Sequence, residues 1–245
     1  MKLSVVIPAY NEEGCIEDTL IKLYETLYRE NIEHEILVIN DNSKDNTLVI
    51  LESIPKTIPT VRYITNEGPN GFGYAVRKGL TNFEGDCVAV FMADLSDDPN
   101  DLVLFYKLME QEGCDAVFGT RWSNGGKVYD YPKHKLWINR LANNIIRLLF
   151  HIKYNDTTNA FKLYKRATIK GIQPFLSPHF NLTIELPLKT IIRGYSYKIL
   201  PNSWTNRKTG ESKLKIKEMG TRYFFILLYC LIEKYFSRGD FKKKW

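Results

Sequence analysis

The sequence lacks most of the features that would place a protein quickly. No apolar run reaches the roughly 20 residues a helix needs to span a bilayer; the longest, "YFFILLYCLI", falls well short. There is no internal repeat and no low-complexity linker, so one domain with a C-terminal extension is expected. The four cysteines, Cys15, Cys87, Cys114 and Cys230, form no CxxC pair. Each sits in an apolar segment, which argues against a zinc framework and reads as reduced core thiols in a cytosolic protein. The N-terminus "MKLSVVIPAY" runs straight into strand-like sequence, with no signal peptide. A P-loop is missing, and so is a GxGxxG turn directly after the first strand. That turn is "PAYNEEG", whose two glutamates would repel a pyrophosphate.

What is present is ordinary in bulk and patterned in detail. The chain has 245 residues, 44% hydrophobic and 25% charged, enough for a sizeable core. Net charge is +6 and the pI about 9.0. Part of the excess lies late, in "KLKIK" and "FKKKW", and no recognised nucleic-acid module accompanies it. Strand-like and helix-like segments alternate: "LSVVIPAY", "EILVIN", "VRYIT", "DCVAVFM" and "DAVFG" are separated by helical patterns. One has Ile16, Leu20, Leu23 and Leu27 at helical spacing; another, "NDLVLFYKLMEQEG", stops at Gly113. Repeated βα units predict a mostly parallel sheet with helices on both faces. The second half adds a helix with Ile138, Leu141, Ile145 and Leu148 on one face, the strand "AFKLYK", a helix "LTIELPLKTIIRG" interrupted by Pro187, and a late strand "YSYKIL".

Ligands of such sheets bind beyond the carboxyl ends of the strands. Polar residues fall there: Tyr10 to Glu12, Asn40 with Asp41, then Asp94 in "VFMADLSDDP". An apolar run ending in carboxylates suggests a metal site, but the residue two before Asp94 is Met92, a poor ligand for hard Mg2+ or Mn2+. Asp97 and Asp98 read more simply as a turn and helix cap before "LVLFYKL".

The segments "VVIPAYNEEG", "ILVINDNSKDNT", "NGFGYAVRKG" and "FMADLSDDP", in that order, resemble the family 2 glycosyltransferases of GT-A fold. "FGTRW", "DTTNAFKLYKR" and "NRKTGESKLK" are similar to the polyprenyl-phosphate branch. The resemblance implies a GT-A domain over residues 1–213 and a C-terminal helical extension over 214–245. It implies that Pro8, Ala9, Tyr10, Glu12, Asp41, Gly73 and Ala93 bind the donor nucleotide. It implies a weakened cation site for Mg2+ or Mn2+ centred on Asp94, with Met92 in place of the first acid. It also implies acceptor-phosphate binding by Arg121, Lys162, Arg207 and Lys213, with Asp94, Arg121, Lys162 and Lys213 as the catalytic set. Asp156 begins the same motif as Lys162, in a role the sequence leaves open.

The reaction so implied is inverting transfer of a hexose from a nucleoside-diphosphate sugar to a polyprenyl phosphate. A phosphate monoester with a second pKa near 6 is largely dianionic at neutral pH and needs positioning cations more than a base. Two alternatives stand beside it. One is transfer to a hydroxyl acceptor, with a base sought among the acids near Asp94 or at Glu185. The other is a non-catalytic nucleotide-sugar binder, motivated by Asn40 and Met92. A lipid acceptor places the protein peripherally on the cytoplasmic face of a membrane, with "YFFILLYCLI" as an interfacial helix. A buried helix, a homodimer contact or a membrane-protein partner are the other uses of that segment.

Overall fold

A computed structural model describes residues 1–206 and 216–243. Its centre is a seven-stranded sheet. The strands in chain order are β1 (Leu3–Ala9), β2 (His34–Asn40), β3 (Val61–Thr65), β4 (Cys87–Val90), β5 (Ala116–Thr120), β7 (Lys162–Lys165) and β8 (Tyr197–Pro201). Their spatial order is β3-β2-β1-β4-β7-β5-β8. All run parallel except β7, which lies antiparallel between β4 and β5. A separate parallel ribbon pairs β6 (Lys127–Tyr129) with β9 (Ser203–Thr205).

Both faces of the sheet are covered, which is why its inner strands read as continuous apolar runs. Along β1, Val5 and Ile7 point to one core and Val6 to the other. The first core is closed by α1 (Ile16–Arg29), α2 (Thr47–Ser53) and α4 (Pro99–Glu112), through Ile16, Leu20, Leu23, Leu51, Leu102 and Phe105. The second is closed by α3 (Phe72–Asn82), α6 (Arg166–Gly171) and α7 (Leu182–Ile192), through Val76, Leu80, Ile169 and Leu186. Gly113 ends α4 in the left-handed conformation at φ +62°, as its position in the sequence predicts.

A third, smaller core joins α5 (Lys133–Phe150), α7 and α8 (Ile216–Phe236), through Ile146, Phe150, Ile184, Leu188, Ile226 and Cys230. One face of the C-terminal apolar segment is therefore buried in the protein. Arg193 and Glu233 fix it with a buried two-point ion pair, 2.7 and 2.9 Å. No helix among the described residues is long and apolar enough to cross a membrane.

The expected interruption at Pro187 is not seen: α7 runs through it unbroken. Proline has no N–H to give the carbonyl four residues back, that of Thr183. The Lys162 ammonium takes that carbonyl instead, at 3.3 Å. The ribbon β6–β9 was not anticipated either; three-residue strands carry too little alternation to read from sequence.

Candidate active site

The carboxyl ends of β1, β2 and β4 meet as the fold class predicts. Asp41 follows β2, its N–H donating to the Ala9 carbonyl at 2.8 Å. Its carboxylate is buried and spans a loop: Oδ1 accepts from Asn66 Nδ2 and Oδ2 from the Gly71 N–H, both at 2.7 Å. Asp41 thus holds the glycine-rich turn that leads into α3. Beside it, Asn40 Oδ1 accepts from the Ser43 N–H, so the amide in place of a second acid caps the following turn. Glu12 is buried, and its N–H donates to Thr47 Oγ1 at 2.9 Å. Pro8 and Tyr10 are part-exposed at the same edge. Ala9 and Ala93 are buried and offer backbone only; the Ala93 carbonyl accepts from Thr19 Oγ1.

The close approach expected at Gly73 is real but internal. A Cβ there would lie 2.5 Å from the Pro178 carbonyl carbon and 2.6 Å from the His179 nitrogen. At Gly71, with φ +148°, a Cβ would sit 2.7 Å from His179 Nδ1. These glycines let the 177–179 segment pack closely against the start of α3. That segment is in turn pinned by Glu185, whose two carboxylate oxygens accept from the Leu176 and Ser177 N–H groups, each at 2.8 Å. Glu185 also pairs with Lys189, both fully buried. It is a structural post, not a base facing a substrate.

At the end of β4, the turn after Asp94 bends back through Leu95, a non-glycine residue at φ +53°. Asp94 Oδ1 accepts from the Ser96 N–H at 3.1 Å. Asp98 caps α4 as expected, accepting from the Asn100 N–H at 2.9 Å. Asp97 does not behave as a turn residue: it is 2% exposed, and among the described residues its Oδ2 has no hydrogen-bond partner. Burial, then the neighbouring Asp94 charge, push its pKa up to about 8, against the pull of Arg121. A cavity of about 410 Å³ opens beside it, lined by Lys22, Ser96, Asp97, Tyr129, Ser203 and Thr205.

The acids at Asp94 and Asp97 suit a hard divalent cation. Such an ion takes one or two carboxylates and completes its shell with substrate phosphates and water. Among the described residues no three His, Cys, Asp or Glu side chains converge on one point. Met92 brings no oxygen ligand from its side chain.

Of the cations expected to face an acceptor phosphate, Arg121 and Lys162 are buried with internal partners. Arg121, after β5, grips Asp156 with Nε at 2.8 Å and Nη2 at 2.7 Å, while its own N–H donates to the same carboxylate at 2.9 Å. Burial pushes its pKa down, but the Asp156 charge and hydrogen bonds outweigh that and hold it above the usual value. Lys162 is buried, donating to the carbonyls of Thr157, Asn159 and Thr183. Burial pushes its pKa down to about 7, against the pull of Asp156. In this arrangement they brace the 156–162 loop from inside, each with a buried partner on that loop. Arg207 and Lys213 lie outside the described residues.

Sequence reasoning missed α5 as part of the site. Asn139 Nδ2 donates to Thr158 Oγ1 at 2.8 Å, and Asn143 accepts from the Thr158 N–H at 3.2 Å. Arg140 lies over the Trp122 ring, 5.4 Å from its centre. The two asparagines interrupt an otherwise apolar-and-basic helix, and that was the available signal.

Residues 4–172 match the family model described as Glycosyl transferase family 2. The chain is 30% identical over 223 residues to a dolichol-phosphate mannosyltransferase of Pyrococcus furiosus, covering 89% of this chain and 60% of that protein. It is 25% identical over 219 residues to glycosyltransferase AglD of Haloferax volcanii, covering 88% of this chain and 35% of that one. The chain thus spans less than two thirds of the length of these relatives. Among solved structures, glucosyl-3-phosphoglycerate synthase from Mycobacterium tuberculosis, in complex with Mn2+, UDP and phosphoglyceric acid, superposes with a TM-score of 0.71. The match covers 94% of this chain and 78% of that one at 19% identity, a likeness of fold.

Proposed function

The chain belongs to glycosyl transferase family 2, and on that premise we propose that it moves a hexose from a nucleoside-diphosphate sugar to a polyprenyl phosphate at a membrane surface. The observation that carries this reading is the double use of α5. One side of the helix is hydrogen-bonded to the site loop through Asn139 and Asn143. The other presents Trp137, Ile138, Leu141, Ile145, Leu148 and Leu149, all exposed, with Trp137 at 75% and Leu148 at 70%. Phe224, Phe225, Leu228 and Ile232 of α8 extend the exposed apolar surface. Exposed Arg140 and Arg147 accompany it, the pairing that favours an anionic lipid interface. A lipid-borne phosphate held at that interface would arrive beside the site loop.

Most of the acids in this region are committed to partners, Asp97 Oδ2 excepted. Asp98 caps a helix, Asp101 accepts from the Ser203 N–H, Asp156 is held by Arg121 and Glu185 by Lys189. A hydroxyl acceptor needs a carboxylate free to take its proton; a dianionic phosphate does not. Asp41 and the turn it holds would seat the nucleotide, and Asp94 would hold the cation. A bound Mg2+ or Mn2+ supplies Lewis-acid neutralisation of the departing diphosphate. The relative named for dolichol-phosphate mannose transfer supports the same acceptor class.

The test is transfer from radiolabelled UDP-glucose, GDP-mannose and other sugar nucleotides to polyprenyl phosphate in vesicles. A chloroform-soluble product supports the reading. Sugar-nucleotide binding without lipid product, or label on an added glycan alone, overturns it.

A further inference from the structure

Residue 92 carries a thioether where the family resemblance places the first acid of a cation clamp. The turn that follows brings another carboxylate back to the Met92 backbone. After Asp94 the chain reverses at Leu95 and returns, and the Met92 backbone N–H donates to the Asp97 carboxylate. The return is pinned on its far side: Asp97 bridges to Trp204, and the Ser96 carbonyl accepts from the Thr205 N–H at 2.9 Å. The ribbon strand β9 thereby holds a side chain from position 97 against the backbone of position 92, where it feels the Asp94 charge.

Among the described residues nothing uses the oxygen so placed. Capping of α4 falls to Asp98, and Arg121 is committed to Asp156. Asp97 Oδ2 stays buried with no donor. Buried polar atoms are paired in the great majority of cases, and an orphan costs free energy unless a ligand takes its lone pairs. Its neighbour is a second carboxylate, which a donor-rich organic ligand would not require and a divalent cation would.

We propose that Asp94 and Asp97 together form the protein's clamp for a divalent cation, Asp97 supplying the carboxylate that position 92 lacks. Both are hard oxygen donors, as Mg2+ and Mn2+ prefer. Met92 serves through its backbone N–H, which orients the clamp. The inference rests on the nucleotide-sugar reading only for the phosphate oxygens that complete the shell.

The experiment is Mn2+ binding, read from loss of the free-ion EPR signal, with Mn2+ alone and with UDP or GDP added. Wild type binds; Asp97→Asn binds at least about tenfold more weakly, the loss that even an outer partner causes in a metal site. Its thermal midpoint in EDTA is unchanged or raised. Adding Met92→Asp to Asp97→Asn restores affinity. Equal binding by wild type and Asp97→Asn, or no binding by wild type, overturns the proposal. A wild-type crystal soaked in Mn2+ decides the matter if the variant does not fold. An anomalous peak bonded to both carboxylates supports the clamp, and a peak on Asp94 remote from Asp97 overturns it. Neither readout involves an acceptor, so failure of lipid transfer and failure of the clamp are told apart.

Discussion

Lys162 fills the hydrogen-bonding place that Pro187 leaves empty. The ammonium on β7 reaches the Thr183 carbonyl of α7 at 3.3 Å and also holds the Thr157 carbonyl at 3.2 Å. One side chain thus ties the proline-containing helix to the site loop. Its burial pushes the pKa down to about 7, well below the unfolded value near 10.4. Between these values the unfolded chain holds a proton that the folded one has lost, so stability rises with pH across that window. Lys162→Met removes this dependence. Its cost, measured by urea unfolding, is therefore expected to be small at pH 6 and to grow steadily towards pH 9. A cost that does not vary with pH would show that the folded lysine stays charged.

How much of this was legible in the sequence depends on the range of the interaction. The parallel strands were readable because burial on both faces leaves an unmistakable apolar run, as in "EILVIN". The Asp98 cap and the Gly113 stop were readable because both are settled within a few residues. Pro187 misled because the partner that rescues the helix lies 25 residues upstream on another strand. Asp97 misled for the same reason: in sequence it is one more acid in a turn, and the strand at Ser203–Thr205 that pairs with it lies a hundred residues on. Arg121 and Lys162 sit in matched motifs, but residue type cannot say whether a cation faces out to a ligand or in to Asp156.

The Arg121–Asp156 pair should be among the costliest single contacts to break. Both side chains are buried and joined by two short bonds. Removing one partner leaves a buried charge without compensation, which costs about 3–5 kcal/mol. Arg121→Met and Asp156→Leu should each lose that much in chemical denaturation, and the double variant should recover most of it. A double variant as unstable as the sum of the singles would mean that the pair itself is not the source.

Asp41 holds the glycine-rich turn and, on the proposed function, also seats the nucleotide; one substitution tests both. Its carboxylate accepts simultaneously from Asn66 and from the Gly71 backbone. Asp41→Asn keeps the size but turns one acceptor into a donor facing a donor. Amide exchange across residues 66–72 should speed up, and sugar-nucleotide affinity should fall with it. Weakened binding with unchanged exchange would assign Asp41 to the ligand alone and leave the turn self-supporting.

The exposed face of α5 offers the sharpest test of where the protein works. Leu141 and Leu148 are 63% and 70% exposed, so replacing them disturbs little of the fold; exposed substitutions of this kind change stability by about 0.5 kcal/mol or less. At a lipid surface the same changes matter. A leucine that leaves water for the acyl boundary gains about 1.5–3 kcal/mol, and a glutamate gains nothing and is repelled by anionic headgroups. Leu141→Glu with Leu148→Glu should therefore release the protein from vesicles containing anionic lipid, seen by flotation, with Tm nearly unchanged. Transfer to a short, water-soluble polyprenyl phosphate should survive, because Asn139 and Asn143 still hold the site loop. Transfer to the long-chain lipid in vesicles should fall in step with binding. Undiminished flotation would mean that another surface, with the apolar face of α8 the first to examine, carries the attachment.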